Sequence, residues 1–394
     1  MVLPLHILMR ITVNNYQLLS GLKTINKIIK SNNQLSNKLL IRAQKDSVYL
    51  ETSNQEKAMS IKLNAKIQLK EQNEPNEIVT TLTILTNLVA KLEVDETNII
   101  LENETLRLTN GTVNARLPLD SQSNYIMPVL NNVNGINIEP MILDKLLTNS
   151  IPFCLGTPIE AVASNQLALA TINLNFENNT IQAMASNSHI GINIKEKTKY
   201  NNNLQTLNIP SDTAIIIQSL AREAEKKKSE NIILKYNDTG LYVISDGIKF
   251  YSRMLNAKFP PLDKVMKNKG QNIITINRER LLKTAERMIC FVEKDYSCNP
   301  IILELNNKKA NISIKSALGK NNEELSIETN NDNVDFRIGI NSSYLIKTLK
   351  TATTDNIQFY IQSNIHPLII TSDETEFVIS PLKIREKKKD TQAA

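Results

Sequence analysis

Tryptophan is absent from this chain of 394 residues, which also has only ten glycines and three cysteines. Because Cys154, Cys290 and Cys298 are odd in number and irregularly spaced, a disulfide framework is not expected. No apolar run approaches the roughly 20 residues of a membrane span. The apolar stretch from Met1 to Met9 is too short for a secretory leader, and Met9 is an alternative start. We expect a cytoplasmic protein with no membrane partner.

Charge and hydrophobicity are both moderate. Hydrophobic residues make up 41% of the sequence and charged residues 22%, which is enough apolar material for cores in two or three domains. The formal net charge of +6 permits a polyanionic partner without requiring one, because an excess of this size is usually solvated surface.

Patterns that carry catalysis are missing from the sequence. It has neither a P-loop nor a glycine-rich fingerprint, and the spacing of His and Cys suits no zinc site. His189 has no nucleophile motif beside it and no cluster of carboxylates around it, so a structural or pocket-lining histidine is favoured over a general base. We expect no enzyme activity, no metal and no cofactor.

Short strands alternate with amphipathic helices along the chain. After a strand at 10–14, helical spacing predicts a first helix over about 16–30. Its apolar face is formed by Leu18, Leu22, Ile25 and Ile29. A second helix follows Ile78 and Val79, with Thr80 or Thr81 as its N-cap, and runs to about Lys91.

The same order of strand and helix restarts twice, near Gly135 and near Ile273. The second helix of each unit is entered through a β-branched residue followed by capping residues. Val79 and Ile209 at these entries are 130 residues apart, and Ile209 and Ile340 are 131 apart. This near-constant offset predicts three copies of one α+β module, the alternative being coincidence among many short strands.

The C-terminal stretch from Ile338 to Ile384 resembles the last domain of the bacterial replicative sliding clamp, the β subunit of DNA polymerase III. The final strand of that family usually reads close to Met-Pro-Met-Arg-Leu, and the matching residues here are Ser380-Pro381-Leu382-Lys383-Ile384. Four further motifs extend the resemblance over about 9–384. They are Ile11–Val13 with its helix, Ala183–His189 in place of Ala-Thr-Asp-Gly-His-Arg-Leu, Ala257–Leu262 in place of Gly-Arg-Phe-Pro-Asp-Tyr, and the helix at Arg280–Ala285. Gly111, Arg116-Leu117-Pro118 and Asp120 resemble the end of the family's first domain.

The resemblance implies an α+β fold of three clamp-type domains, each with two helices packed on antiparallel sheets. We place the domains at 1–130, 131–260 and 261–385, followed by a basic tail at 386–394. Two chains would join head to tail as a homodimer, forming a closed ring with the helices lining its hole. Duplex DNA would thread through the hole without being read in sequence.

Basic residues lie opposite the apolar stripes of several predicted helices, where they would attract phosphates without reading bases. This DNA-facing set consists of Lys23, Lys27, Lys30, Lys91, Arg222, Lys226, Arg280, Lys283, Arg287, Lys347 and Lys350. For each of these residues alone, an ordinary solvated helix face is the alternative.

In the family, partner enzymes insert a short peptide into an apolar pocket between the second and third domains. Carried over by position, the pocket consists of Leu169, Ser186, His189, Ile190, Gly191, Pro260, Val265, Val378, Ser380, Pro381 and Leu382. Three positions depart from the family: Ile190 replaces an Arg, Gly191 a Leu, and Ser380 a Met. We therefore expect a differently shaped pocket with altered peptide preference, while plain strand core remains the alternative for Ile190 and Val378.

Ring closure requires a contact between the first domain of one chain and the third domain of the next. By position, the candidates are Leu82, Leu85 and Leu106, the last on a predicted edge strand, together with Phe291 and Val292. Packing within a domain is the alternative for all five.

The sequence thus predicts a DNA sliding clamp that tethers the replicative DNA polymerase and other enzymes during processive synthesis. Its implied partners are duplex DNA, a second copy of itself, the polymerase, an ATP-dependent clamp loader and other clamp-motif peptides, in a cytoplasmic, nucleoid-associated setting. A clamp-like scaffold that binds such peptides without encircling DNA is the second hypothesis. An unrelated β-rich enzyme is the third, and the missing catalytic constellation argues against it.

Overall fold

A computed structural model of the chain describes residues 7–28, 37–70, 76–102, 105–120, 125–163, 166–255, 257–293, 300–306, 308–331 and 334–384. Eight α-helices lie within these ranges. They are α1 (Asn15–Ile25), α2 (Leu82–Val89), α3 (Pro140–Ser150), α4 (Pro158–Ala163), α5 (Ser211–Lys226), α6 (Leu262–Lys267), α7 (Arg278–Met288) and α8 (Ser342–Thr351).

Most other described residues lie in antiparallel strands. In chain order the strands are β1 (Ile7–Asn14), β2 (Lys38–Gln44), β3 (Ser47–Ser53), β4 (Lys57–Leu69), β5 (Glu77–Thr81), β6 (Glu96–Glu102), β7 (Thr105–Asn110), β8 (Val113–Pro118), β9 (Asn134–Ile138), β10 (Thr171–Ser186), β11 (Ile190–Pro210), β12 (Ile232–Tyr236), β13 (Gly240–Ser245), β14 (Ile248–Arg253), β15 (Asn272–Asn277), β16 (Pro300–Asn306), β17 (Lys309–Ser316), β18 (Gly319–Ser326), β19 (Glu328–Thr329), β20 (Asp335–Asn341), β21 (Asn356–Ile361), β22 (Leu368–Ser372) and β23 (Thr375–Ile379).

Contacts divide the chain into two compact units. The first unit comprises Met1–Met141 and Ile216–Asn256, and the second comprises Ile142–Ile215 and Ala257–Ala394. The sheet of the first unit has twelve strands, with β8-β7-β6-β1-β4-β14-β13-β12-β9 as its main path. Off this path, β3 pairs with β4, β2 pairs with β3, and β5 pairs with β2. The second unit has a seven-stranded sheet, β10-β11-β23-β22-β21-β15-β19, and a four-stranded sheet, β18-β17-β16-β20. The α+β fold class is thus confirmed, whereas the three domain boundaries stay a prediction.

The repeated entry from strand to helix occurs where the sequence predicts it. β1, β9 and β15 each lead into a helix, as do β5, β11 and β20. Three of these helices are closed by an Asn side chain that accepts a backbone N–H: Asn14 from Gln17, Asn277 from Arg280, and Asn341 from Ser343 and Tyr344. At the start of α2, Thr81 holds the cap position without a side-chain cap bond.

The first helix is shorter than its apolar periodicity predicts. α1 ends at Ile25, and a 3₁₀ turn then runs over Asn26–Ile28. Leu18, Leu22 and Ile25 are fully buried, as the predicted stripe requires, whereas Ile29 lies outside the described residues. α1 packs against α2, and in the second unit α7 packs against α8, so each pair presents its polar side away from its sheet.

Candidate nucleic-acid and peptide interfaces

The basic residues of the first unit are mostly exposed on helix surfaces. Lys23 on α1, Lys91 after α2 and Lys226 at the end of α5 are exposed and have no acidic partner among the described residues. Arg222 is also exposed on α5. Lys30 lies outside the described residues. Cations near helix C-termini also interact favourably with the helix dipole.

Lys27 differs from its neighbours because it is half-buried. Its Nζ donates a hydrogen bond to Ser219 Oγ at 2.9 Å, and Ser219 donates in turn to the Ile216 carbonyl. Burial lowers the pKa of the Lys27 ammonium, while nearby Glu223 opposes that shift. Lys27 therefore links the turn after α1 to α5 by a hydrogen bond. Its ammonium group is less available to an outside anion than that of Lys23.

In the second unit, most of the predicted DNA-facing cations on α7 and α8 are exposed but paired. Lys283 lies 2.6 Å from Glu279, Lys350 2.9 Å from Glu286, and Arg287 2.5 Å from Glu323. Arg280 has no acidic partner in the described part of the chain. Of these pairs, Lys283–Glu279 and Lys350–Glu286 are exposed and contribute little stability, because their charges are well solvated.

Lys347 is half-buried, and its side chain is directed at the segment that contains Pro152. Its Nζ donates to the Pro152 carbonyl at 2.6 Å and lies 6.0 Å from the centre of the Phe153 ring. Burial lowers the pKa of this ammonium, and burial likewise raises the pKa of the neighbouring Cys154 thiol to about 12. For Lys27 and Lys347 the geometry favours a structural role.

Glu323 on β18 accepts hydrogen bonds from two side chains of α7 and from one of its own strand. Its carboxylate accepts two hydrogen bonds from Arg287, one from Thr284 and one from Asn321. The bonds from Arg287 are the largest cause that lowers the pKa of Glu323, to about 2. This carboxylate stays ionised at all but strongly acidic pH.

The predicted peptide pocket is built around a tight turn between β10 and β11. Asn187 Oδ1 accepts the backbone N–H groups of His189 and Ile190, at 3.0 and 2.9 Å. Ser186 Oγ donates to the Ile190 carbonyl and accepts the N–H of Ser188, whose φ is 75°. This fixed turn places the His189 carbonyl 2.8 Å from the N–H of Ser380, which joins the turn to the end of β23.

The floor of the pocket is a closed apolar cluster. Met184, Leu262, Met266, Ile369 and Val378 are at most 7% exposed and pack together, with Phe259 and Tyr360 against them. Gly191 lies directly opposite Val378 in the sheet. A Cβ at Gly191 would lie 3.0 Å from Val378 Cγ1 and 3.1 Å from Leu262 Cδ2. Leu262 and Val378 therefore occupy the space that a larger residue at 191 would take.

The remaining predicted pocket residues form the rim. His189 is exposed and stacks on Tyr344, with ring centres 6.4 Å apart. Val265 is 43% exposed on α6. Leu169, Pro260, Ser380, Pro381 and Leu382 are partly exposed, and the backbone N–H of Leu382 donates to the Gly339 carbonyl. Ile190 is fully buried, in keeping with the strand-core alternative.

Sequence reasoning missed several residues that shape this site, Met266 in its apolar floor among them. Leu262 and Met184 form its floor with Ile369, and Tyr344 covers His189. Leu262 and Met184 lie within motifs that the family resemblance already singled out, so the departure at Gly191 could have directed attention to them. Tyr344 lies on a distant helix, and no local pattern predicts its stacking on His189.

The predicted ring-contact residues separate into two groups. Leu82, Leu85 and Leu106 are fully buried, which favours packing within their own unit. The expectation that the strand carrying Leu106 is an edge strand is wrong, because β7 pairs with both β6 and β8, and β8 is at the edge. Phe291 and Val292 are partly exposed beyond α7, and Phe291 lies against Gly319 at the start of β18.

The described residues form neither a membrane-spanning helix nor a metal site. None of their helices is long and apolar enough to cross a membrane. Within the same ranges, no group of three or more His, Cys, Asp or Glu side chains is arranged to hold a metal ion.

Residues 263–382 match the family model described as DNA polymerase III beta subunit, C-terminal domain. Among curated relatives, a β sliding clamp from Mycoplasma capricolum is 26% identical over 53% of this chain and 55% of that protein. The chain thus spans about half the length of this relative and 46% of a Synechococcus elongatus clamp. A Rickettsia bellii β sliding clamp aligns over 96% of this chain and its own full length, at 22% identity.

Solved structures show the same fold over nearly the whole chain. A Pseudomonas aeruginosa sliding clamp bound to griselimycin superposes with a TM-score of 0.83, covering 96% of this chain and 100% of that one at 16% identity. The Thermotoga maritima DNA polymerase III β subunit gives 0.82 with the same coverage and identity. Residues 263–382 are therefore similar to the C-terminal domain of the DNA polymerase III β subunit, and the chain as a whole has the fold of solved β sliding clamps.

Proposed function

We propose that this protein is a DNA sliding clamp that encircles duplex DNA and tethers the replicative polymerase, without catalysing a reaction. The observation that carries the proposal is similarity over the full length of the Rickettsia bellii β sliding clamp, in a chain whose fold matches solved clamps over 95% or more of its residues. The family consists of non-enzymatic processivity factors, in keeping with the absence of a catalytic motif from the sequence.

Unpaired cations on the helix surfaces support contact with DNA. Lys23, Lys91 and Lys226 in the first unit, and Arg280 in the second, are exposed and free of acidic partners among the described residues. Such charges attract phosphates without reading bases, which allows a ring to move along the duplex.

Two strand edges that are open within the described part of the chain support closure between copies. Among the described strands, β8 ends the sheet of the first unit, and β18 ends the four-stranded sheet of the second. β8 carries Arg116, 60% exposed, and β18 carries Glu324, 58% exposed. Opposite charges on edges with unpaired backbone groups favour pairing of β8 in one chain with β18 in the next, beside Phe291.

The peptide pocket that we assign to this protein is the turn at Ser186–Ile190 with the rim at Ser380–Leu382. Replacing Pro381 and Leu382 with Ala should weaken the binding of a polymerase C-terminal peptide while leaving oligomer size unchanged. Unchanged peptide affinity in fluorescence anisotropy would refute the assignment.

Retention on DNA tests the main proposal. The protein is loaded by a clamp loader onto nicked circular plasmid, the loader is removed in high salt, and the plasmid is linearised. A topological clamp stays on the circle and is lost from the linear form. Equal loss from both forms would instead support a peptide-binding scaffold that does not encircle DNA.

A further inference from the structure

A turn in the first unit has the same hydrogen bonds as the turn at the predicted peptide pocket. Asn54 Oδ1 accepts the N–H groups of Glu56 and Lys57, at 2.9 and 2.7 Å, as Asn187 Oδ1 does for the two residues after Ser188. The Glu56 carbonyl accepts the N–H of Arg253 at 2.8 Å, just as the His189 carbonyl accepts that of Ser380. The module that forms the pocket in the second unit is therefore repeated in the first.

Strand register extends this equivalence into the apolar floor. In the first unit, Ala58 lies opposite Tyr251, and Tyr251 lies opposite Tyr242. In the second unit, the same positions are occupied by Gly191, Val378 and Ile369. In each unit, the floor also includes a segment that connects two successive modules of the chain. That segment contributes Met127 and Leu130 in the first unit, and Phe259 and Leu262 in the second.

The chemistry of the first-unit floor differs from that of the second. Tyr242 and Tyr251 meet edge to face, with ring centres 5.6 Å apart. The Lys249 ammonium lies 4.3 Å from the centre of the Tyr242 ring, and Lys235 lies opposite Tyr242 in the sheet. Both lysines are exposed, and within the described ranges neither has an acidic partner.

An exposed apolar strip adjoins this floor. Ile126 is 70% exposed and Val129 is 82% exposed, on the same segment that inserts Met127 and Leu130 into the cluster. The N–H of Ile126 donates to Ser53 Oγ at 3.0 Å, which holds the strip beside the turn. Tyr242 itself is only 7% exposed and lies beneath these groups. We call the surface that Ile126, Val129, Lys235 and Lys249 form over this ring the tyrosine groove.

We propose that the tyrosine groove binds an extended peptide that places an aromatic or leucine side chain against the apolar strip and a carboxylate next to the two lysines. This proposal rests on the proposed function only in that the equivalent surface of the second unit is taken as a peptide pocket. Ile126 and Val129 are mostly exposed, so packing a peptide side chain against them removes apolar surface from water. Unpaired lysines beside it favour a partner of opposite charge.

The absence of Trp from the chain makes single-tryptophan probes possible. Val129→Trp reports on the tyrosine groove, and Val265→Trp reports on the second-unit pocket. Each variant is titrated with the Trp-free peptide acetyl-Gly-Ser-Asp-Leu-Phe-Asp-Ser-Gly-amide and with a matched peptide in which Lys replaces both Asp residues. The Asp peptide should shift the Val129→Trp emission to the blue in a saturable way, and the Lys peptide should bind about tenfold more weakly or less.

Two sets of substitutions separate the two sites. Adding Lys235→Glu and Lys249→Glu should weaken the Val129→Trp response about tenfold while the Val265→Trp response is kept. Adding Pro381→Ala and Leu382→Ala should weaken the Val265→Trp response and leave the Val129→Trp response unchanged. A response from Val265→Trp without one from Val129→Trp would overturn this proposal and leave the proposed function intact. A response from Val129→Trp alone would support the tyrosine groove and argue against the second-unit pocket.

A second copy of the chain is the competing occupant of the exposed strip. Ile126→Asp changes a 70% exposed side chain and should leave the sedimentation behaviour of the protein unchanged. A fall in self-association caused by Ile126→Asp would assign the strip to a contact between copies and overturn the peptide proposal.

Discussion

At the scale of single residues, the turn at Ser188 carries backbone strain that its counterpart in the first unit lacks. Ser188 has a φ of 75°, in the left-handed region that side chains with a Cβ disfavour by about 1–2 kcal/mol. Ser188→Gly should therefore raise the free energy of unfolding by about 0.5–1 kcal/mol, after the extra chain entropy of glycine is subtracted. Urea denaturation of the two proteins measures the difference.

Gln55 provides the matched control for this substitution. It holds the equivalent place in the turn that begins at Asn54, yet its φ is not positive. Gln55→Gly should leave stability unchanged or lower it, because glycine adds entropy to the unfolded chain and relieves no strain. Equal effects of the two substitutions would show that the φ of Ser188 is not a source of strain.

Helical periodicity identifies the basic residues that lie on the polar face of a helix, but it does not identify the hydrogen-bond partner of each ammonium group. Lys23 and Lys27 fall on the same predicted face, yet Lys27 donates to Ser219, almost two hundred residues away in sequence. Lys347 reaches the Pro152 carbonyl in the same way. Because both partners come from distant segments, no local pattern distinguishes these tied lysines from the free ones.

At the scale of elements, the contact between α7 and β18 depends on an ionised carboxylate. The pKa of Glu323 falls from an ordinary 4.5 to about 2 in the folded protein, chiefly through its hydrogen bonds with Arg287. A depressed folded-state pKa contributes stability that is fully present above pH 4.5 and is lost as the pH falls towards 2. The free energy of unfolding should therefore decline through this window, followed by urea titration at successive pH values.

Glu323→Gln isolates the contribution of this carboxylate. The amide can still accept a hydrogen bond from Thr284 or Arg287 but has no charge to lose. The variant should be less stable than the parent near pH 7 and approach it near pH 2. A constant difference over that whole range would mean that titration of Glu323 does not set the acid sensitivity.

Element boundaries show which parts of the fold are encoded locally. Asn14, Asn277 and Asn341 cap helices where a β-branched strand meets a polar residue, and these starts are readable because an N-cap is a local hydrogen bond. The prediction that β7 is an edge strand is wrong, because the next strand along the chain, β8, pairs with its outer side. Sequence alone also treated Leu82 and Leu85 as contact candidates, whereas both are helix core.

At the scale of the whole molecule, the repeat was predictable but its division into compact units was not. The 130- and 131-residue offsets mark successive modules, because each module repeats one strand-to-helix entry. The sheet of the first unit nevertheless joins β4 to β14, and so draws strands from two predicted domains. Long-range pairing of this kind has no signature in local periodicity.

Self-association through the open edges should depend on the charges of Arg116 and Glu324. Arg116→Glu places a carboxylate on β8, and Glu324→Arg places a cation on β18, so each change alone should raise the dimer dissociation constant about tenfold. Combined in one chain, the two reversals restore opposite charges and should recover much of the affinity. Sedimentation equilibrium measures all four proteins, and a double variant no better than the singles would exclude direct pairing of these residues.

Residence on DNA should depend on the free cations and not on the tied ones. Lys23 and Arg280 are exposed without acidic partners among the described residues, so Lys23→Glu with Arg280→Glu removes attraction to phosphates without breaking an ion pair. The lifetime on nicked circular plasmid should shorten about tenfold, and the loss should be smaller in high salt because exposed charges are then screened.

Lys195→Glu with Lys315→Glu is the matched control, because it makes the same change in net charge on exposed strand positions of β11 and β17. If only the distribution of charge on the helix surfaces matters, this control keeps the parent lifetime. An equal shortening by both double variants would mean that DNA responds to net charge alone. Lys23 and Arg280 would then be ordinary solvated residues, and the attraction that keeps the protein on DNA would not depend on the helix surfaces of the fold.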